Sequence, residues 1–516
     1  MPDLIGSLKR LLTSVRLFSE ILVRMPLREY QVRAVDAVVG SCMAGSGMEF
    51  LWIFPRQSGK DEALAQMCAF LLALFQRVEA CIVHVYPTSA QLATGIERLE
   101  RRLENLLTAG RWLSKSHPVR RGLGLAKVAF FSGHPSGRSE GATANLLLIV
   151  NEAQDQVEAV IDRRFIPMRA SSNATALFVG TVRTTSDYLW KTKERLEAAQ
   201  AGDGKRRVFV VSPYEVGAEN PHYLEFVKGQ VAARGREHPS VKTEYFCEPV
   251  DVSAGLFPAR RLALMLGKHE RRRVPRGGHW YAALIDVGGQ DEAAQGQALA
   301  SPGRDYTVCT IVRVRRDTAS VTGPIYEVVD VLVDQGSRHF EDQPGRASLF
   351  ARLVAYLEHW GVVVAICDQT GVGQGLTDAL RKAYKRRVAG FDFARAHGKA
   401  RLGCDFLALV ETGRFKYFRS DYQVEGSDSW WFFTQAEHCA YELGAGQPIE
   451  RGMRWGVRPG QRVISSGGEA WPVHDDRLIS AALCAELDRM LSEGQAFAGT
   501  FDSAVVRAGE ERAVWA

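Results

Sequence analysis

The sequence predicts an α/β protein of two successive modules. Three observations carry this. From Phe50 onward, short apolar runs alternate with helical stretches, in the order FLWIFP, DEALAQMCAFLLALFQ, ACIVHVYP and SAQLATGIERLERRLENLL, and such alternation is the signature of a parallel-rich sheet wrapped by helices. A second alternation starts at WYAALIDVGG, where the strand patterns DYTVCTIVRVRR and IYEVVDVLVD follow before the helix LFARLVAYLEHW and the strand VVVAICD. Between the two lies a basic, breaker-rich stretch. At about 150 residues per domain, 516 residues suit about three structural units.

In chain order, residues 1–26 contain LKRLLTSVRLFSEILVR, which reads as an amphipathic helix because Lys9, Arg10, Arg16, Glu20 and Arg24 interrupt any secretory apolar segment. Residues 27–255 form the first module, with further strands expected at 146–150, 176–181 and 207–212. Residues 256–278 read as a basic linker, with seven Lys/Arg and one acid between Arg260 and Arg276. Such a run is either a solvated surface or a nucleic-acid contact. Residues 279–490 form the second module, and 491–516 a tail of little periodicity.

Composition excludes several classes. With 46% hydrophobic and 24% charged residues the chain is of ordinary globular type. The longest apolar run, Met67 to Phe75, has nine residues, against about 20 for a membrane-spanning helix, so no membrane role is expected. Nine cysteines without CxxC or CxxH spacing give neither a disulfide framework nor a zinc signature. The cytosol is the default compartment. A net charge of +6 permits a polyanionic partner without demanding one.

The first chemical constellation is Phe54-Pro-Arg56-Gln57-Ser58-Gly59-Lys60-Asp61, which runs from a strand into a helix. A loop of this kind aims backbone N–H groups at a phosphate while the lysine neutralises its oxygens. It departs from GxxxxGK[ST] at both ends, with Phe54 in place of the first glycine and Asp61 in place of the hydroxyl residue. Some ninety residues later, the apolar strand before Asn151 and Glu152 is expected to lie beside the loop's own strand and to supply a water-polarising base, Glu152. Asn151 puts a neutral amide at the metal-associated position. Asp61 is then either the missing carboxylate for Mg²⁺ or simply an acid favourably placed in a first helical turn.

The second constellation is a set of aspartates. Asp286 ends YAALID, Asp368 ends VVVAICD, and Asp475 and Asp476 precede RLISAALCAELDRM. Acids at strand ends and a helix start can converge at one sheet edge, where they suit two divalent ions, Mg²⁺ or Mn²⁺, about 4 Å apart for phosphodiester cleavage. Arg381–Arg387 is a basic segment suited to tracking phosphates. Trp430-Trp-Phe-Phe433 reads as core or as a base-stacking platform. His474 reads as polar surface, ligand or proton shuttle.

Taken in order, LREYQ (27–31), PRQSGK (55–60), HVYPTSAQ (84–91), SEGATANLLLIVNEAQ (139–154) and VGT (179–181) resemble the large subunit of the terminase of tailed bacteriophages and prophages. The segments IDVGG with Asp305-Tyr-Thr, CDQTGVGQG and HDDRLISAAL resemble the ribonuclease-H-like nuclease of the same family. The resemblance covers about residues 27 to 490. It implies a P-loop ATPase that binds ATP with Mg²⁺, joined to a two-metal nuclease. Gln31 would contact adenine, Arg56 and Lys60 the phosphates, and Gly180 and Thr181 would form a coupling motif. Asp286, Asp368 and Asp476 would be principal metal ligands, with Asp305 and Asp475 as neighbours. Arg138 is an arginine-finger candidate or a surface arginine. The implied partners are double-stranded DNA, a portal protein, a small terminase subunit and further copies in a ring, a pentamer, docked on a procapsid in the bacterial cytoplasm. The rivals are a helicase or restriction-type translocase, and a nucleotide-responsive DNA-binding adaptor whose ATPase has decayed.

Overall fold

The computed structural model describes residues 11–136, 142–290, 305–316, 323–444 and 447–493. Arg138 and most of the QDEAAQGQALASPGR insertion lie outside them, as do the first ten residues and all beyond Glu493. The chain forms two compact units, one of Met1–Gly229 with Pro239–Asp251, the other of Gln230–His238 with everything from Val252 onward. Among the described residues no helix is long and apolar enough to cross a membrane.

The first unit is built on eight strands: β1 Glu49–Ile53, β2 Ala80–Tyr86, β3 Trp112–Ser116, β4 Val119–Leu123, β5 Ala126–Ser132, β6 Leu147–Asn151, β7 Thr175–Gly180 and β8 Val208–Val210. Their order is β3-β4-β5-β2-β6-β7-β1-β8. The six from β5 to β8 run parallel, and β3 and β4 extend the sheet as an antiparallel hairpin. β2 is buried at every position, as expected of a central parallel strand covered on both faces. The hairpin has no counterpart in the sequence reading, because WLSKS and VRRGL are short, largely polar edge strands without apolar alternation.

Helix α1 (Glu29–Ala44) precedes β1, α2 (Lys60–Phe75) follows it, and α3 (Ser89–Leu103) follows β2. The sequence KDEALAQMCAFLLALF contains no β-branched residue, so little side-chain freedom is lost on coiling. Twelve of its residues are buried, which an apolar surface all round the helix requires. The N-terminal segment belongs to this unit: a turn at Val15–Leu17 continues into a π-helical turn at Phe18–Leu22, and Phe18 packs edge-on against Phe70 at 5.4 Å.

The second unit carries a six-stranded mixed sheet of β9 Trp280–Asp286, β10 Thr307–Arg315, β11 Ile325–Asp334, β12 Val364–Asp368, β13 Val388–Phe391 and β14 Phe415–Lys416. The order is β13-β12-β9-β10-β11-β14, with β9, β10 and β11 antiparallel and β12 and β13 parallel to β9. This is the ribonuclease-H-like arrangement expected from the sequence. Helices α4 (Leu349–Trp360), α5 (Gly373–Tyr384), α6 (Gly398–Glu411), α7 (Asp428–Glu437) and α8 (Asp476–Ala482) surround it. Trp430-Trp-Phe-Phe433 lies on α7, and Phe432 is fully buried and stacked on Tyr417 at 4.1 Å.

The basic stretch at 256–278 is not a linker. Ala259–Met265 is a short helix, and Arg261 and Arg260 both pair at 2.7 Å with Glu411, whose side chain is fully buried. Arg271 bridges Asp330 and Asp428 at 2.7 and 2.8 Å. The charges read as solvated or DNA-facing are in large part counter-ions of acids inside the second unit.

Candidate active sites

The loop after β1 is held from below by the start of α1. Tyr30 Oη donates to the Ser58 carbonyl at 2.5 Å, and the Gln31 amide donates to the Ser58 and Gly59 carbonyls at 3.3 and 2.9 Å. Gln31 Oε1 accepts from the Arg28 N–H at 2.8 Å. The buried Gln31 therefore clamps the loop backbone. Gly59 has φ +87°, and a Cβ there would stand 2.5 Å from Gln31 Nε2, so both conformation and space demand glycine. Gln57 also lies in the left-handed region, at φ 60°. Phe54, where a first glycine is usual, is fully buried and stacks on Trp52 at 5.6 Å. It serves the core. Ser58 Oγ donates to the Pro55 carbonyl at 2.6 Å and closes the turn.

Lys60 opens α2 and donates to Glu152 Oε1 at 2.6 Å. Burial depresses the ammonium pKa, but Glu152 and Asp61 outweigh it and the net shift is upward. Glu152 follows β6 with φ 46° and ψ 52°, a left-handed backbone that few non-glycine residues adopt. One correction concerns the sheet: β6 does not lie beside β1, because β7 stands between them. The intervening strand ends at Gly180 and so delivers Thr181 between the loop and Glu152. Gln154 uses that position. Its Nε2 donates to Glu152 Oε2 at 2.7 Å, and its Oε1 accepts from the Thr181 N–H at 3.2 Å. Gly180 leaves the room, since a Cβ there would come within 2.0 Å of Gln154 Oε1.

Asn151 Nδ2 lies 3.5 Å from Asp61 Oδ1, and Asn151 Oδ1 is buried without a partner. Burial would raise the Asp61 pKa, but Lys60 and Arg98 prevail and hold the carboxyl below its usual range. The Arg98 guanidinium is 3.2 Å away. Arg56 gives both Glu244 oxygens a hydrogen bond, at 2.9 and 2.8 Å. A cavity of about 410 Å³ is lined by Arg56, Lys60, Asp61, Arg98, Glu152 and Thr181, among others. Sequence reasoning missed Arg28, Tyr30, Arg98 and Gln154. Arg28, Tyr30 and Gln154 stood inside the quoted motifs, whereas nothing local marks Arg98.

In the second unit, Asp286 and Asp368 end adjacent parallel strands, and the register pairing Ile285 with Cys367 sets the two aspartates side by side. Asp476 opens α8. Ser480 on that helix donates to the Leu284 carbonyl at 2.8 Å and meets Thr310 at 2.8 Å, which docks α8 on β9 and β10. Gln435 of α7 accepts the N–H groups of Arg477 and Leu478 at 2.9 and 3.1 Å and holds the helix start. Asp286 senses the other acids. Burial, then the charges of Asp476, Asp368 and Asp475, push the Asp286 carboxyl well above the carboxylate range. Burial raises Asp476 to about 7 and raises Asp368 as well.

The donor set fits a hard divalent cation, since these are buried oxygen ligands without enough positive charge around them. Their present orientation is a separate matter. Asp476 Oδ2 accepts from the Tyr306 N–H at 3.1 Å, Asp368 Oδ1 from the Thr370 N–H at 2.8 Å, and Asp475 faces Lys399 Nζ at 3.7 Å. Among the described residues, no three His, Cys, Asp or Glu side chains stand as a metal's ligand shell. Asp305 is exposed and lies 3.0 Å from His474 Nδ1, which raises the histidine pKa and lowers its own.

The fold and these residues define a class: an α/β protein in which a P-loop-type module precedes a ribonuclease-H-like one. Neither protein-family models nor curated proteins give a match to the chain. Solved structures do. The large terminase of a thermophilic bacteriophage is 12% identical, with 90% of this chain and 99% of that one covered and a TM-score of 0.40. The HK97 bacteriophage large terminase is 11% identical, with 92% and 99% covered and a TM-score of 0.39. The large terminase nuclease from thermophilic phage G20c, solved with bound magnesium, is 16% identical, with 45% and 96% covered and a TM-score of 0.31. The chemistry of this chain rests on the residues described above.

Proposed function

We propose that this chain is a DNA-packaging motor subunit that hydrolyses ATP to move double-stranded DNA into a procapsid and cuts concatemeric DNA with a two-metal nuclease. The observation that carries the reading is the pairing of Lys60 with Glu152 across one polar cavity, in a chain whose second unit sets Asp286 and Asp368 at the ends of adjacent strands and Asp476 at the start of a helix docked on β9. A triphosphate entering the first site takes Lys60 Nζ from Glu152, which frees one carboxylate oxygen to polarise water. Gln154 keeps the other oxygen fixed and ties it to Thr181, so the base and the coupling segment move together. Asp61, ionised and adjacent to Asn151, takes the Mg²⁺-associated role that the amide at 151 cannot fill as a charge. The adenine contact of Gln31, the phosphate contact of Arg56 and the finger role of Arg138 belong to the same reading.

In the nuclease, Asp286, Asp368 and Asp476 would hold two divalent ions, with Asp305 and Asp475 nearby, and bound ions would supply water activation and leaving-group stabilisation. The portal, the small terminase subunit and a homo-oligomeric, pentameric ring are the partners this reading entails, in the host cytoplasm. The test is DNA-stimulated ATP hydrolysis and DNA cleavage by the full chain with Mg²⁺ or Mn²⁺, beside Lys60→Ala and Asp286→Ala. Each variant is expected to lose one activity and keep the other. Asn151 favours one rival, the nucleotide-responsive adaptor, and ATP binding without DNA-stimulated turnover would establish it instead.

A further inference from the structure

Next to the acid cluster the second unit holds a cavity of about 510 Å³, within the range that accommodates a small ligand or a nucleotide unit. Gln369 on one wall directly follows Asp368, and Gly398 on another directly precedes Lys399, the residue facing Asp475. Phe391, which also lines the cavity, is the register partner of Asp368 on the neighbouring strand, so one end of the cavity lies beside the end of β12.

Its charges are unevenly spent. Among the lining acids, Glu450 is taken by Arg234 at 2.6 Å, and Glu486 by Arg489 at 2.6 Å and Arg401 at 3.3 Å. Asp392 Oδ1 accepts from the Ala394 N–H at 2.9 Å. It directly follows Phe391, the register partner of Asp368, and stands at the β12 end of the cavity. Arg395 and Arg451 also line the space, are exposed, and have no acidic partner among the described residues. His397 Nδ1 lies 2.9 Å from the Arg451 carbonyl, which joins the two arginine-bearing segments. The cavity therefore offers two guanidiniums without an acidic partner among the described residues, close to the strand end that carries Asp368. Guanidinium forks match phosphate oxygens in geometry and charge.

We infer that this cavity binds the backbone phosphates of the DNA strand flanking the scissile bond, through Arg395 and Arg451. The inference rests on the nuclease reading for what lies at the other end of the cavity. With the scissile phosphate at the aspartates, the neighbouring phosphates of the same strand run toward the arginines. The contact is to the backbone, so it positions the strand and reads no sequence.

The experiment measures binding of a blunt duplex to the full chain in EDTA, by fluorescence anisotropy across a salt series, beside Mn²⁺-dependent cleavage. Losing two phosphate contacts lowers the slope of log Kobs against log[salt] by about 1.8. We expect that drop for Arg395→Ala/Arg451→Ala, a slope near wild type for the charge-keeping Arg395→Lys/Arg451→Lys pair, and cleavage by the alanine variant that suffers in KM more than in kcat. An unchanged slope in the alanine variant overturns the inference. So does an equal loss in the lysine pair, which would trace the effect to packing. Asp286→Asn separates the two readings: if it still cleaves, the nuclease assignment fails, whereas a dead Asp286→Asn beside an unchanged alanine variant sinks only the arginine site.

Discussion

The two candidate sites solve the problem of buried charge in opposite ways. In the first unit's cavity each candidate acid already has a protein cation, Lys60 for Glu152 and Arg98 for Asp61, at 2.6 and 3.2 Å. In the aspartate cluster burial raises the pKa of Asp286, Asp368 and Asp476, the other aspartates push Asp286 up further, and Lys399 faces Asp475 at 3.7 Å. The first site is self-neutralised, and its ligand must compete with ion pairs. The second is short of positive charge, and that deficit is what a divalent ion relieves.

Predictions follow the size of the effect. Replacing Asp368 by Asn removes a ligand from the undercompensated site and is expected to bring metal-dependent cleavage below detection while ATP turnover persists, read by a plasmid-cutting assay run beside phosphate release. In the self-neutralised site, Glu152→Gln keeps shape but removes the proposed base. Hydrolysis should fall by about 10²–10⁴-fold with nucleotide binding retained, as titration with a fluorescent ATP analogue would register.

Glu411 sharpens the contrast, being a buried acid in the second unit with its own cations. Arg261→Ala strips one of them and should destabilise that unit by roughly 3–5 kcal/mol, the usual cost of breaking a buried pair, measured by denaturant unfolding. A loss within experimental error would return the basic stretch to the status of a surface. Smaller again is Gln154→Leu, which frees one oxygen of Glu152. Loss of a hydrogen bond to a charged group is worth about 1.5–3 kcal/mol, so kcat for ATP should drop roughly 10- to 100-fold with little change in KM.

The smallest effect concerns pH. Asp286 and Asp476 have folded-state pKa values above those of the unfolded chain, so the folded state holds more protons, and their contribution to stability declines as pH rises from the ordinary carboxylate range through about 7 for Asp476. In EDTA, Asp286→Asn should therefore raise the thermal midpoint more at pH 8 than at pH 5, and Mg²⁺ should stabilise the parent protein more at pH 8. A Mg²⁺ effect independent of pH would contradict the deficit of positive charge.

Much of the fold was legible because strand and helix periods are local. The strand candidates FLWIFP, ACIVHVYP and LLLIV stand within a residue or two of β1, β2 and β6, and the helix LFARLVAYLEHW matches α4 end to end. The edge hairpin of β3 and β4 was not legible, since an exposed strand needs no apolar pattern. The basic stretch misled for a related reason. A run of arginines looks the same whether it faces water or acids more than a hundred residues away, such as Glu411 and Asp428.

The sequence by itself determined the element types, the glycine and lysine of the loop, and the acids that close β9 and β12, because each depends on neighbours along the chain. Only the tertiary structure decided that β7 separates β6 from β1, that Gln154 links Glu152 to Thr181, and which arginines are spent on acids while Arg395 and Arg451 have no acidic partner among the described residues. Strand order and charge pairing are set by packing between distant segments, and no local pattern encodes which distant partner a side chain will meet.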